Sequence, residues 1–415
     1  MSEKKNTGKK AVIAVIVIAL IVVIIALAVV ISGKSKKGGS KSATEAGSET
    51  MRSGQFDIDY AKQVTKLADY SGIAITVSND YEINDTAKQK YLTNVLQSYG
   101  ADAYKQVTDR DTVADGDYVK VDYTGYKDGK AFDGGSATDV MLDVTNNSQV
   151  GGSSFIDGFT KPIIGAKVGD KVKGDVTFPE DYGNDDLNGQ TVTFEYTVKG
   201  IYSADPVALA DMTDEQVNTV FGKAGVTTNA QLTTQIEKDL KQQLYSAEVD
   251  KIKSYMIEDS TVEIPDEYLQ ARLNEYIASF TKENVKDGQT LKKYLKSNYN
   301  MTVDQATEKW KENLTDQIKT EFIFGLIAEK ENIKMDDDAF NSYVDYIVSA
   351  SNGQFSKASE VYKYFGSGHK DEGKTYLKNQ YLVNKAIDTV TEKANVTFED
   401  GSAAPDTSSG SADAE

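Results

Sequence analysis

Hydrophobic and polar positions change period several times along the chain. Ala11–Ile31 is apolar throughout and carries no charge over 21 residues. As a helix rising about 1.5 Å per residue it would span about 30 Å, the thickness of a bilayer's hydrocarbon core. Lys4, Lys5, Lys9 and Lys10 precede it as the expected cytoplasmic flank, although Lys34, Lys36, Lys37 and Lys41 follow it. The pattern predicts a cytoplasmic basic N-terminus over 1–10, a transmembrane helix over 11–31, and a single-pass protein of the cell membrane whose body is extracytoplasmic. Ala26-Leu27-Ala28 matches a small-residue cleavage site, so a cleaved and secreted form is the alternative. Residues 32–55 are rich in Gly, Ser and Lys without apolar period, which predicts a flexible tether. Residues 399–415 read as a disordered acidic tail.

Between tether and tail the texture is that of an α+β multidomain body. Residues 56–112 open with a helical run (Ala61, Val64, Leu67), an apolar strand Ile73–Val77, and a second helix from Asp85 to about Tyr99. Residues 113–202 are β-rich. Val119, Val121 and Tyr123 alternate with polar residues, Asp128-Gly129 marks a hairpin turn, and Val192, Phe194, Tyr196 and Val198 hold a strict period of two. Phe155, Ile156, Phe159 and Ile163 predict a short helix bounded by glycines, around which an antiparallel sheet would wrap. Residues 203–398 turn helical: Leu232, Ile236, Leu240 and Leu244 fall four apart, as do Trp310, Leu314, Ile318 and Phe322. Pro265 sits where a helix's first turn begins.

Composition narrows the chemistry. The 46 Lys and Arg against 64 Asp and Glu give a net charge of −18, which argues against a nucleic-acid partner. The absence of cysteine removes thiol nucleophiles, disulfides and thiolate metal sites. The single histidine, His369, leaves no multi-histidine metal centre and no conventional serine–histidine triad. Gly368–Thr375 matches the phosphate-loop pattern G-x-x-x-x-G-K-[ST], but its context is helical and Asp371 and Glu372 would sit inside the anion cradle; an exposed helix–helix connection is the expectation. The informative constellation is aromatic: Tyr123, Phe132, Phe155, Phe159, Tyr182 and Phe194 recur in one small β domain, with Asp133 after Phe132.

Four stretches of that domain resemble an FKBP-type peptidyl-prolyl isomerase of the variant found in bacterial trigger factors: Val121–Gly125, Asp128–Asp133, Phe155–Phe159 and Val176–Tyr182. Leu67–Ile73 and Val107–Arg110 are similar to that family's linker, and Ile264–Leu269 and Ile327–Ile333 to its helical chaperone domain. The resemblance covers roughly residues 56–398. It implies a peptidyl-prolyl cis-trans isomerase and chaperone needing no cofactor, with unfolded or nascent polypeptides carrying X–Pro bonds as clients. Phe159 would be the pocket floor, with Tyr123, Phe132, Phe155, Phe194, Leu187 and Ile156 around it. The Ile156 amide and Tyr182 hydroxyl would hold peptide carbonyls, and Asp133 would orient neighbouring polar groups. The alternative is a non-catalytic holdase. The Gly-Phe-Arg signature of the family's ribosome-docking domain has no counterpart, so ribosome binding is not expected, and Val140 stands where an aromatic wall is expected.

Overall fold

The computed structural model of the protein describes residues 51–286 and 288–407. The apolar run Ala11–Ile31, its basic flank and most of the 32–55 tether lie outside the described residues. Among the described residues no helix is long and apolar enough to cross a membrane. In chain order the first elements are α1 (Tyr60–Gln63), β1 (Val64–Lys66), β2 (Ala74–Val77), α2 (Asp85–Leu96), β3 (Tyr118–Lys127), β4 (Lys130–Asp143), β5 (Ser148–Gln149), β6 (Lys171–Thr177) and β7 (Thr191–Tyr202). There follow α3 (Asp214–Phe221), α4 (Asn229–Asp259), β8 (Thr261–Val262), α5 (Asp266–Asn284), α6 (Leu291–Tyr299), α7 (Val303–Lys330), α8 (Asp337–Ala350), α9 (Ala358–Phe365), α10 (Lys370–Glu392) and β9 (Asn395–Phe398). These elements form two compact units, residues 83–240 and residues 51–82 with 241–407.

The first unit is built on a five-stranded antiparallel sheet of order β5-β4-β3-β7-β6. Asp128 and Gly129 turn the β3–β4 hairpin with φ of +50° and +74°, the left-handed pair that a two-residue turn requires. Along β7, Val192, Phe194, Tyr196 and Val198 all face the core, as their alternation predicts. The short helix expected over Phe155–Ile163 is absent; the segment is a loop ending in one 3-10 turn, Lys161–Ile163. Its helical spacing is defeated by Gly158 at φ +81° and by Pro162, which has no N–H to donate. A second core in this unit joins Leu92 and Leu96 of α2 to Val217 and Phe221 of α3 and to Leu232 and Ile236 of α4.

The second unit is mainly helical. Ile252 and Met256 of α4, Tyr268 of α5, Ile318 and Phe322 of α7, and Val383 and Ile387 of α10 share one core. Residues 56–75 belong here rather than to a separate linker: Val64, Ala68, Ile73 and Ile75 are buried in this core, and β2 pairs in parallel with β9. The helical run expected from Ala61 shrinks to the single turn α1, because Val64 and Lys66 pair with Val262 and Thr261 as β1. The predicted boundaries therefore shift, with 56–112 and 203–398 each divided between units. The last residues of the predicted tether and the first of the predicted tail are hydrogen-bonded to the helical unit. Arg52 pairs with Glu372 and Ser53 with Glu275, while Ala404 hydrogen-bonds Val396 and Thr407 Oγ1 donates to buried Glu248.

The phosphate-loop lookalike opens α10. A helix, α9, precedes it instead of a strand, and exposed His369 caps α10 by its backbone position. Its second glycine answers to packing: a Cβ on Gly373 would lie 1.8 Å from the Tyr362 carbonyl oxygen. Close approach of α9 to α10, not an anion, requires that residue.

A buried ion pair ties α5 to α7. Arg272 donates to Glu321 through Nη1 (2.8 Å) and Nη2 (3.1 Å), and also to the Tyr268 hydroxyl at 2.9 Å. Gln317 and Tyr376 donate to the same carboxylate, and the guanidinium lies over the Tyr376 ring of α10. Burial disfavours the Arg272 charge, yet the Glu321 carboxylate overcomes it and holds the guanidinium protonated well above its usual range. Glu321→Leu is expected to destabilise this unit by about 3–5 kcal/mol by stranding the cation, and Arg272→Met added to it to restore most of the loss. Urea unfolding followed by far-ultraviolet circular dichroism measures both; a single-variant loss below about 1 kcal/mol would contradict the assignment.

Candidate active site

The aromatic residues singled out in the β domain come together on one side of its sheet. Tyr123 stands mid-β3, flanked by Ala137 of β4 and Tyr196 of β7, and Phe194 is opposite Gly125 across the β3–β7 ladder. Phe159 arrives from the loop. Its ring centroid lies 5.1 Å from Tyr123, 4.9 Å from Phe194 and 5.5 Å from Tyr196, all edge to face, and 4.2 Å from Phe155 in a parallel stack. Phe132 closes the far side, 5.9 Å from Phe194 and 6.2 Å from Phe178. Leu187 is buried in the same cluster, while Ile156 and Val140 pack against it half-buried. Tyr182 is 48% exposed, its ring 4.5 Å from Phe178 at the rim.

Asp133 does not join them. It is exposed, and among the described residues no hydrogen bond or ion pair holds its carboxylate. The chain leaves regular geometry directly after it, at Gly134 with φ +78°.

The loop that presents Phe155, Ile156 and Phe159 is held by a residue outside the predicted set. Asn147, itself left-handed at φ +48°, donates from Nδ2 to the carbonyl oxygens of Phe155 (3.2 Å) and Ile156 (2.9 Å). Its Oδ1 accepts from the Thr160 N–H at 2.9 Å, and its own carbonyl accepts from the Phe155 N–H at 2.8 Å. With those groups engaged, the Ile156 N–H is left without an acceptor among the described residues. A free amide beside an apolar floor can bind a carbonyl oxygen. Tyr196, placed in the sequence only by the period of its strand, likewise donates from its hydroxyl to the Phe159 carbonyl at 2.6 Å. No local pattern announces either contact, since they span 13 residues and 37 residues of chain.

Two glycines shape the wall. A Cβ on Gly125 would lie 2.6 Å from the Phe132 ring and 2.7 Å from Phe194, and one on Gly135 would lie 2.6 Å from Phe132. The Phe132 ring therefore rests against bare backbone. Burial, with the Tyr182 phenol adding to it, raises Tyr123 above the usual tyrosine range, and burial followed by Tyr123 does the same to Tyr196. Among the described residues no group of His, Cys, Asp and Glu could hold a metal ion.

Gly125→Ala is expected to lower the melting free energy of this unit by about 1–3 kcal/mol through overpacking of Phe132, read by thermal or denaturant unfolding. An unchanged midpoint would refute the tight approach. Because both phenols are raised, a Tyr196→Phe or Tyr123→Phe variant should leave the phenolate absorbance below about pH 10 unchanged. A drop in that absorbance would show an ionised phenol in the site.

Comparison with known proteins bears on the same segments. Residues 110–199 match the family described as FKBP-type peptidyl-prolyl cis-trans isomerase. Residues 227–392 match the family described as bacterial trigger factor protein C-terminus. The trigger factor of Agathobacter rectalis is 28% identical over 330 residues, 79% of this chain and 69% of the relative. That of Clostridium botulinum strain Eklund 17B is 29% identical over 66% of this chain and 62% of its own length, so the match spans less than two thirds of it. The Acetivibrio thermocellus trigger factor is 26% identical over 81% of this chain and 74% of the relative. A solved structure from work on substrate recognition by the trigger factor chaperone aligns over 79% of this chain and 72% of its own, at 18% identity and a TM-score of 0.41. The chain is thus trigger factor-like, with an FKBP-type isomerase domain and a trigger factor C-terminal domain.

Proposed function

We propose that this trigger factor-like chain is a peptidyl-prolyl cis-trans isomerase and folding chaperone that works at the cell membrane on unfolded or translocated polypeptides. One observation carries the catalytic part: a cluster of rings gathered on Phe159 with an unengaged Ile156 amide beside it. An X–Pro bond rotates slowly because twisting it breaks amide resonance, at a barrier of about 18–20 kcal/mol. Its cis and trans forms differ by only about 0.5–1 kcal/mol, so a catalyst has only to favour the twisted amide over both. The twisted amide has lost the charge separation of the planar one, and a dry aromatic surround favours it relative to water. Phe159 serves as floor and Tyr123, Phe132, Phe194, Leu187 and Ile156 as walls. The Ile156 N–H and the exposed Tyr182 hydroxyl take peptide carbonyls. Neither proton transfer nor a metal is needed, in keeping with a chain without cysteine.

The helical unit supplies the chaperone part by analogy with the relatives' names. Placement at the membrane rests on Ala11–Ile31 alone, with the body outside the cell. A second reading, a holdase without turnover, is favoured by the 2% exposure of the Phe159 ring.

The test is isomerisation of a proline tetrapeptide by the wild-type chain and by Phe159→Ala. Loss of about 2–3 kcal/mol of aromatic contact should lower turnover about 30- to 160-fold. A wild-type chain without activity, whose suppression of client aggregation survives Phe159→Ala, would leave the holdase in its place. Protease accessibility on intact cells reads the side of the membrane; a body protected until lysis would reverse the orientation.

A further inference from the structure

The floor ring of the site is almost wholly covered by the protein's own side chains, at 2% exposure. Of the four rings around Phe159, three meet it at steep angles: Tyr123 at 86°, Phe194 at 76° and Tyr196 at 76°. Only Phe155 lies flat on it, with ring planes 17° apart and centroids 4.2 Å apart. A stacked ring occupies one whole face, the geometry that a prolyl ring packing on the floor would need. The steep neighbours are fixed. Phe194 and Tyr196 are buried at 4% and 1%, Tyr196 is further held by its bond to the Phe159 carbonyl, and Tyr123 sits between two paired strands.

Phe155 differs in its setting. It is half-buried, as Tyr123 is, but unlike the other three it belongs to no strand or helix. Its backbone is nonetheless immobilised, since Asn147 binds both its N–H and its carbonyl. The one freedom left is rotation about its side-chain torsions, which for a partly exposed ring needs no loop opening.

We propose that Phe155 is an internal occupant of the prolyl seat: it stacks where the client's proline ring binds and must swing away before the client can seat, so it sets the site's affinity. This rests on the isomerase reading for its ligand class, a proline-containing extended peptide. Phe155 is then a specificity-determining positioning residue whose removal improves binding, unlike every other ring of the cluster. The stack is a single aromatic pair, so the expected gain is modest, roughly 2- to 10-fold.

The experiment uses the full chain in detergent micelles with a proline tetrapeptide, measuring binding by titration calorimetry and turnover by isomerisation. Phe155→Ala should tighten binding and lower KM by that factor, and Phe155→Tyr, which keeps the stack, should bind the peptide as the wild type does. Phe155→Met, which keeps apolar volume, repeats the test should the alanine variant fail to fold. Weaker or unchanged peptide binding by both smaller variants overturns the proposal, as does a Phe155→Tyr chain that gains like Phe155→Ala. If the wild type binds peptide without turning it over, the isomerase reading falls while tighter binding by Phe155→Ala still upholds the internal occupant. Absence of peptide binding in every chain overturns both.

Discussion

The segment Phe155–Thr160 has no ladder of its own, and a single side-chain amide replaces one. Asn147 satisfies two carbonyls and one N–H of that loop, and its own carbonyl takes a further N–H. Buried backbone groups left unpaired would cost the fold more than an ordinary hydrogen bond contributes, so this residue, with the Tyr196 hydroxyl on the Phe159 carbonyl and the Thr160 hydroxyl on the Val144 carbonyl, fixes where the loop lies. The loop's share of the aromatic site follows from it. Phe159 reaches the sheet, Phe155 stacks upon it, and the Ile156 amide is left over. The left-handed backbone of Asn147 is tolerated because asparagine bears that conformation better than most residues.

The sheet supplies the other half of the constraint. Strand alternation sends Phe194 and Tyr196 of β7 to the core face, and the β3–β7 register sets Gly125 against Phe194. Phe132 then fills the space that two missing Cβ atoms leave, beside Gly125 and Gly135. The rings of Tyr123, Phe194 and Tyr196 meet Phe159 at steep angles, an arrangement that aromatic quadrupoles prefer, while Phe155 lies parallel to it. Rigid rings around a movable one give a site whose shape is set in advance and whose occupancy is not.

In the helical unit, the Arg272–Glu321 pair serves a different purpose. It joins α5 to α7 and draws in Tyr268, Gln317 and Tyr376, so that three helices share one satisfied polar network inside an apolar core. Such a pair adds little net stability against apolar replacements but penalises every alternative helix register that would separate its members. We take that as its role here.

Much of this was legible from residues alone. The hairpin at Asp128-Gly129, the β7 face, the stripe Leu314–Ile318–Phe322 and the helix beginning at Asp85 all rest on periods of two or four and on turn chemistry, which act between near neighbours and need no knowledge of the rest of the chain. Nine residues were nominated for the site, and the fold gathers all but Asp133 at the ring cluster or its rim. What sequence could not supply was partnership at a distance. The stripe of α4 reads as one surface, yet Leu232 and Ile236 serve one core while Ile252 and Met256 serve another. β2 is a strand by composition, but that it pairs in parallel with β9, with Thr76 facing Thr397, is settled only by the closing of the chain. Helical spacing at Phe155–Ile163 was overruled in the same way, by Asn147 and a left-handed glycine. Local preference is worth a few tenths of a kcal/mol per residue, and a buried contact formed across the fold outweighs it.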